Sequence, residues 1–272
     1  MRYLIDPANW EWITAGSNLR FILTGFLINL QIALLAMVLS LVFGLGLALL
    51  RISKKRFLKT PALIWIDVWR NLPLVFIILY LALSIPQSWR TAYQDNLPSF
   101  FPTAFESPFF LAAVIGLTLY NSAVIAEIMR AGIVSLERGQ GEAAAALGLP
   151  YRKAMRLIIL PQGLRRMVPA TVSQLITLNK DTTLVSIIGI QEVMRQARIV
   201  TNTSGSPFTG SGVDAPLLQV FLTVGAMFVV VNLLLSRLSA RLEVGQQRRT
   251  GTRVEGVTGL EDQVRVERTA TP

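Results

Sequence analysis

Residues 21–50, FILTGFLINLQIALLAMVLSLVFGLGLALL, run for 30 residues without a charged side chain. A helix needs only ~20 residues to cross a bilayer core, so this one tilts or projects beyond the lipid. In lipid the backbone polar groups must be satisfied within the segment, which selects a helix. No basic stretch precedes the run and no small-residue cleavage site follows, so it reads as a retained span rather than a signal peptide. Composition agrees: 52% of residues are hydrophobic and 15% charged, with a mean hydropathy of +0.52, against about 25% charge in an average soluble domain. A disordered chain is excluded and an ordinary soluble enzyme disfavoured. The absence of Cys and His removes disulfides, thiol catalysis, Ser-His-Asp triads and His- or Cys-ligated metal. An all-α polytopic membrane protein remains.

Five hydrophobic segments are expected to be membrane helices: about 21–50, 61–85, 109–133, 167–190 and 217–236. The second is interrupted by Asp67, Arg70 and Pro73, and the fourth by Lys180-Asp181. Basic residues set the orientation. RISKKRFLK (51–59) carries Arg51, Lys54, Lys55, Arg56 and Lys59 with no acid, and the stretch of about 130–166, from the end of segment three to segment four, holds Arg130, Arg138, Arg152, Lys153, Arg156, Arg165 and Arg166. The alternate loops are poor in Lys and Arg. The positive-inside rule therefore puts the N-terminal segment 1–20 outside and the C-terminus in the cytoplasm. The net charge of +10 is spread over membrane-proximal loops, which argues against a nucleic-acid partner. Trp89, Tyr93, Phe100, Phe101, Phe105 and Phe109 read as interfacial anchors. The polar stretch 245–272 is expected to be a disordered tail. No GxxxxGK[ST] sequence occurs, so the chain carries no P-loop.

The cytoplasmic loop of about 135–166 reads as two short helices. Residues 142–147 are strong helix formers with Glu142 at the favourable N-terminal end. Gly148 is placed to stop that helix as a C′ glycine, and Pro150 to open a second over about 151–159, ending at Leu160-Pro161. An alanine-lined helix projecting from a membrane domain suits insertion into a partner's groove; a plain amphipathic surface hairpin is the alternative.

Glu142-Ala143-Ala144, three residues, Gly148, nine residues, Ile158, one residue, Leu160-Pro161 resembles the EAA loop of ABC importer permeases at every position. Tyr120-Asn121-Ser122-Ala123, Ala126-Glu127-Ile128, Arg130-Ala131-Gly132-Ile133, Gly139-Gln140, Arg70-Asn71-Leu72-Pro73-Leu74 and Lys180-Asp181-Thr182-Thr183-Leu184 look like the polar amino acid (histidine/glutamine/glutamate/arginine-type) permease family. Asn71 departs from it, at a position where glycine is expected more often. The resemblance spans about residues 20–245. It implies a permease domain over 21–244 in the bacterial plasma membrane, a second permease (identical or sister chain), two cytoplasmic ATPase subunits and an extracellular solute-binding protein that delivers an amino acid. It also implies that this chain is not an enzyme. ATP and magnesium would bind the ATPase and no cofactor this chain. Glu142, Ala143, Ala144, Gly148, Ile158, Leu160 and Pro161 would then couple the ATPase to the spans.

Charged residues within membrane segments are costly and are therefore functional candidates. Arg70, Glu127, Asp181 and Thr182 are the expected substrate path: carboxylates suit a substrate ammonium, and Arg70 or a broken-helix N-terminus suits its carboxylate. The competing reading has Glu127-Arg130 and Lys180-Asp181 neutralising each other, and Asp67 pairing with Arg70. Glutamate or glutamine is the favoured substrate, because no unpaired acidic surplus is evident. A secondary transporter would be expected to show internal repeats, of which none is visible. A non-transporting scaffold would not need the projecting helix together with buried charge.

Overall fold

A computed structural model of the chain describes residues 6–98, 105, 107–136, 138–202 and 215–250. Among them every regular element is a helix. A 3₁₀ turn over Pro7–Ile13, capped by the Asp6 carboxylate on the Ala8 N–H (3.1 Å), buries Trp12. Helix α1, Asn18–Ile52, is 35 residues long, or ~52 Å at 1.5 Å per residue. Its one basic side chain near the end, Arg51, lies in the last turn, where the helix dipole favours a cation.

The second hydrophobic segment is not one straight span. It forms α2, Arg56–Asn71, and α3, Leu74–Ser84, bent by 97° at the break. The cause is local: Pro73 disfavours the helical region for the residue before it, and Leu72 is extended at φ −83°, ψ 137°. Asn71 ends α2 with its amide donating to the Asp67 carbonyl at 2.7 Å. Helix α4, Gln87–Asn96, follows outside the segment. Arg90 turns back to donate to the Ile85 carbonyl (3.1 Å) at the end of α3 and lies over the Phe109 ring. The Tyr93 hydroxyl donates to the Phe105 carbonyl at 2.8 Å. Phe100 and Phe101 lie outside the described residues.

Helix α5, Phe110–Val134, packs along α1 and forms the centre of the molecule with it. Gly44 permits this approach, because a Cβ there would come within 2.7 Å of the Ile125 side chain. Ile32, Ala36, Leu117, Ile125, Ala126 and Leu178 belong to the main core. A second core joins the other end of α1 to two later helices through Trp12, Ile22, Phe26, Val193, Ala197 and Val220. Phe26 meets Phe228 edge to face at 5.0 Å. Gly46 and Gly225 have nothing near their missing Cβ, whereas a Cβ on Gly25 would meet the Gln196 side chain.

The loop after α5 contains α6, Arg138–Ala146, and α7, Tyr151–Ala154. Leu160-Pro161 does not end the helical path as expected. Residues Met155–Ile159 widen into a π-turn in which the Leu160 N–H reaches the Met155 carbonyl, and α8, Leu160–Arg166, continues from it. Proline lacks an N–H and its ring would crowd the carbonyl four residues back. The π-turn places Pro161 in the first turn of α8, where neither matters. The fourth segment likewise breaks: α9, Val168–Asp181, gives way to a 3₁₀ turn over Thr182–Ile188, stopped by Gly189 at φ +90°. Then come α10, Val193–Asn202, and α11, Leu217–Thr250. Residues 245–250, expected to be disordered, continue α11; the rest of the expected tail lies outside the described residues. Among the described residues three helices are long and apolar enough to cross a membrane, α1, α5 and α11 over Leu217–Val244, or four if the bent pair α2–α3 counts as one span.

Candidate functional site

The hairpin of α6 and α7 is built by its turn. Gly148 has φ +70°, a conformation that costs other residues because Cβ meets the following carbonyl. With Gly148 so placed, its N–H reaches the Ala145 carbonyl (2.9 Å) and the Leu149 N–H reaches the Ala144 carbonyl (3.0 Å). These two bonds are the Schellman pattern that satisfies the otherwise orphaned end of a helix. Ala144 is buried beneath the turn, while Glu142, Ala143, Ala145 and Ala146 are exposed. Leu147, which the sequence reading did not single out, is 78% exposed. Ala143 and Leu147 are four residues apart, on one face. The tip therefore offers a small apolar surface on a rigid turn. Ile158, in the π-turn, and Leu160, at the start of α8, are half-buried, and Pro161 is exposed.

The root of the hairpin is tied to the spans. Gly132 of α5 and Gly163 of α8 cross so closely that a Cβ on Gly132 would lie 2.9 Å from the Gly163 carbonyl oxygen. Arg166 donates to the Ser135 carbonyl at 2.9 Å. The Gln162 amide donates to Gln140 at 3.4 Å. Lys54 sits 4.7 Å from the centre of the Tyr151 ring.

The four residues expected on a substrate path share no side-chain hydrogen bond or ion pair with one another among the described residues. Glu127 is held between two guanidinium groups, Arg51 and Arg130, the latter at 3.1 Å. Arg70 and Asp67 are both exposed and do not pair; the ion pairs among the described residues are those of Glu127. Asp181 is half-buried, at the point where α9 gives way to the 3₁₀ turn, and forms no ion pair with the exposed Lys180.

Thr182 is fully buried and lies in a polar cluster that sequence reasoning missed. Its hydroxyl donates to the Asn179 carbonyl (2.7 Å) and accepts from the Asn29 amide (2.9 Å). The same amide donates to Glu192 at 3.0 Å, and the Asn29 oxygen accepts from the Val193 N–H at 3.0 Å. Glu192 is buried and accepts from the Met194 and Arg195 N–H groups (3.0 and 2.9 Å). It therefore caps α10, satisfying first-turn donors and placing its charge at the positive end of the helix dipole. The acid immediately before the amphipathic run VMRQARIV was the available signal. Asn29, one polar residue inside an apolar helix, gave another. Gln174 donates to Asn121 (2.8 Å) and Asn179 to Asn232 (3.2 Å), which fasten α9 to α5 and α11. Such bonds hold helices in register where water is absent to compete. Among the described residues no group of three or more Asp or Glu forms a metal site.

The family of binding-protein-dependent transport system inner membrane components matches residues 40–245. The probable glutamine ABC transporter permease GlnP of Bacillus subtilis is 35% identical, over 84% of this chain and 95% of its own length. The glutamate/aspartate import permease GltK of Escherichia coli O6:H1 is 30% identical, over 86% and 97%. Among solved structures, an amino acid ABC transporter crystallised with histidines has a chain that superposes with a TM-score of 0.65 at 28% identity, covering 82% of this chain and 93% of that one.

Proposed function

This chain belongs to the binding-protein-dependent transport system inner membrane component family, and on that premise we propose how it works as the permease subunit of an amino acid ABC importer. The reading is carried by the exposed hairpin tip, Ala143 to Gly148, held rigid by the Schellman turn. A projecting apolar tip fits a groove on a cytoplasmic ATPase, which supplies the nucleotide chemistry this chain lacks. Nucleotide-driven closure of two ATPases pushes on the tip, and the spans rock between inward- and outward-open arrangements.

In this reading the chain spans the membrane five times. The bent α2–α3 pair is the second span, and α9 with its 3₁₀ continuation is the fourth. The N-terminus lies outside, where a solute-binding protein docks, and the basic loops and C-terminus lie in the cytoplasm. A second permease, identical or a sister chain, completes the path. Asp181 is the carboxylate available to a substrate ammonium, because it is half-buried and unpaired. Exposed Arg70 is available to the substrate carboxylate. Thr182 acts behind Asp181 by pinning the end of α9 to α1. Glu127, already neutralised by two arginines, supports the spans instead. Glutamate or glutamine is the proposed substrate, in keeping with the names of the similar permeases.

The test is reconstitution with the cognate ATPase, binding protein and any sister permease in proteoliposomes. Vanadate-sensitive uptake of glutamate or glutamine is expected, and Asp181→Asn should impair it without loss of assembly. Uptake that persists without ATP would overturn the importer assignment, and unchanged kinetics in Asp181→Asn would remove that residue from the path.

A further inference from the structure

The loop between α1 and α2 makes two contacts that the proposed coupling does not use. Arg51, in the last turn of α1, is paired with Glu127 of α5. Three residues on, Lys54 lies over the ring of Tyr151 in α7. One short segment therefore touches both the helix that enters the hairpin and the helix on its return side. The circuit closes through α8: Gly132 meets Gly163, Arg166 bonds the Ser135 carbonyl, and Gln162 bonds Gln140 of α6.

We propose that residues 51–54 form a brace that fixes the coupling hairpin to α1, so that force on the tip moves α1 and α5 as one body. This rests on the hairpin being the ATPase contact. The physical need for a brace comes from how α1 and α5 meet. At Gly44 the two helices meet mainly through the Ile125 side chain, and the Ser40 hydroxyl reaches the Thr118 carbonyl only at 3.5 Å; such contacts resist separation better than sliding along the axis. An ion pair fixes axial position, because its energy depends on the distance between two specific groups. The Arg51 and Glu127 side chains are only 19% and 17% exposed, so water screens the pair less than a surface bridge. Glu127 also separates Arg51 from Arg130. Neutralising it leaves two cations face to face and drives the ends of α1 and α5 apart. Tyr151 contributes the second tie, a cation–π contact with Lys54.

The experiment uses the complete reconstituted importer and reads amino acid uptake and ATP hydrolysis together. Glu127→Gln should lower uptake per ATP hydrolysed by about two- to thirtyfold, the range usual for mutations that alter coupling between sites, with Glu127→Asp intermediate. An unchanged ratio would overturn the brace. Because Glu127→Gln could prevent assembly, a second arm uses the absence of cysteine from this chain. Lys54→Cys with Tyr151→Cys, in a complex whose partner subunits are also cysteine-free, should couple poorly until a short bis-maleimide joins the two thiols. Restored uptake per ATP supports a brace that stays closed through the cycle. Arrest of transport by the linker would show that the two residues must separate, and would refute it. If the parent complex imports no amino acid under ATP, the importer assignment has failed, and not the brace.

Discussion

Replacing Gly148 by alanine isolates one physical quantity. A Cβ at this position would meet no atom within 4 Å, so steric conflict with the rest of the chain adds nothing. What remains is the cost of holding an L-residue at φ +70°, about 1–2 kcal/mol. At RT of about 0.59 kcal/mol, that shifts the balance between the closed turn and its alternatives by about five- to thirtyfold. If only the closed turn docks, apparent ATPase affinity falls in proportion to the competent fraction, with thirtyfold as the ceiling. Titrating the purified ATPase onto the permease in nanodiscs measures this directly. Gly148→Asn should lose less than Gly148→Ala, because asparagine tolerates the left-handed region better. Gly148→Asp, which adds a charge to the exposed tip as well, should abolish uptake while insertion into the membrane is unaffected. Gly141→Ala, in the same helix with open space around it and no positive φ, should instead raise helix stability by up to ~1 kcal/mol. Parent-like ATPase affinity in both Gly148→Ala and Gly148→Asp would refute the docking argument.

Gly163→Ala should lower thermal stability by about 1–3 kcal/mol through overpacking, since its Cβ would lie 2.9 Å from the Ile133 Cα; Gly225→Ala, helical and with open space, should cause no loss and is the control, and tryptophan fluorescence melts in detergent read both. Glu192→Ala should weaken α10 by about 0.5–2 kcal/mol as a lost cap, seen as faster amide exchange over 193–202 with α5 unchanged. Desolvation raises the Tyr93 phenol above its ordinary value. The neutral form is the one the fold favours, so any stability it lends is present below the usual phenol range and lost as pH climbs through it. Absorbance at alkaline pH should show one tyrosine ionising later than free tyrosine, and Tyr93→Phe should remove that component.

The α6–α7 hairpin was legible because its turn positions carry local reasons. Gly148 is needed for a positive φ, which a lone glycine after a helix-forming run announces. Pro150 opens the next helix with φ −64°, as its ring dictates. The long apolar runs 21–50, 109–133 and 217–236 likewise fixed α1, α5 and α11, because in each of them local composition and membrane burial favour the same helix. At Pro161 the local rule misled. It treats proline as a stop, whereas a single wide turn absorbs the missing donor and the helix path continues. That choice depends on the Gly132–Gly163 crossing holding the next turn in place, a contact 31 residues apart in sequence that no local window contains.

The charged residues show the same limit from the electrostatic side. Helical spacing correctly offered Arg130 to Glu127 three residues away, and the two meet at 3.1 Å. It offered Arg70 to Asp67 on the same grounds, and there the two exposed side chains do not pair. Spacing is identical in the two cases, so spacing cannot be what decides. What differs is the neighbour: α1 runs beside α5 and brings Arg51 onto Glu127, partly removing water from the site, so the carboxylate gains from every cation in reach. Nothing comparable covers Asp67, and an exposed i, i+3 pair gains only a few tenths of a kcal/mol, which water and side-chain freedom offset. The functional meaning of a membrane charge therefore follows from which helix crosses it. Asp181 remains the test of that rule, because no cation has been brought to it from another helix. Should Asp181→Asn transport at the parental rate, an unpaired carboxylate at a helix break would have to be explained by folding alone, and stability of the α9 end, not uptake, would be where its loss appears.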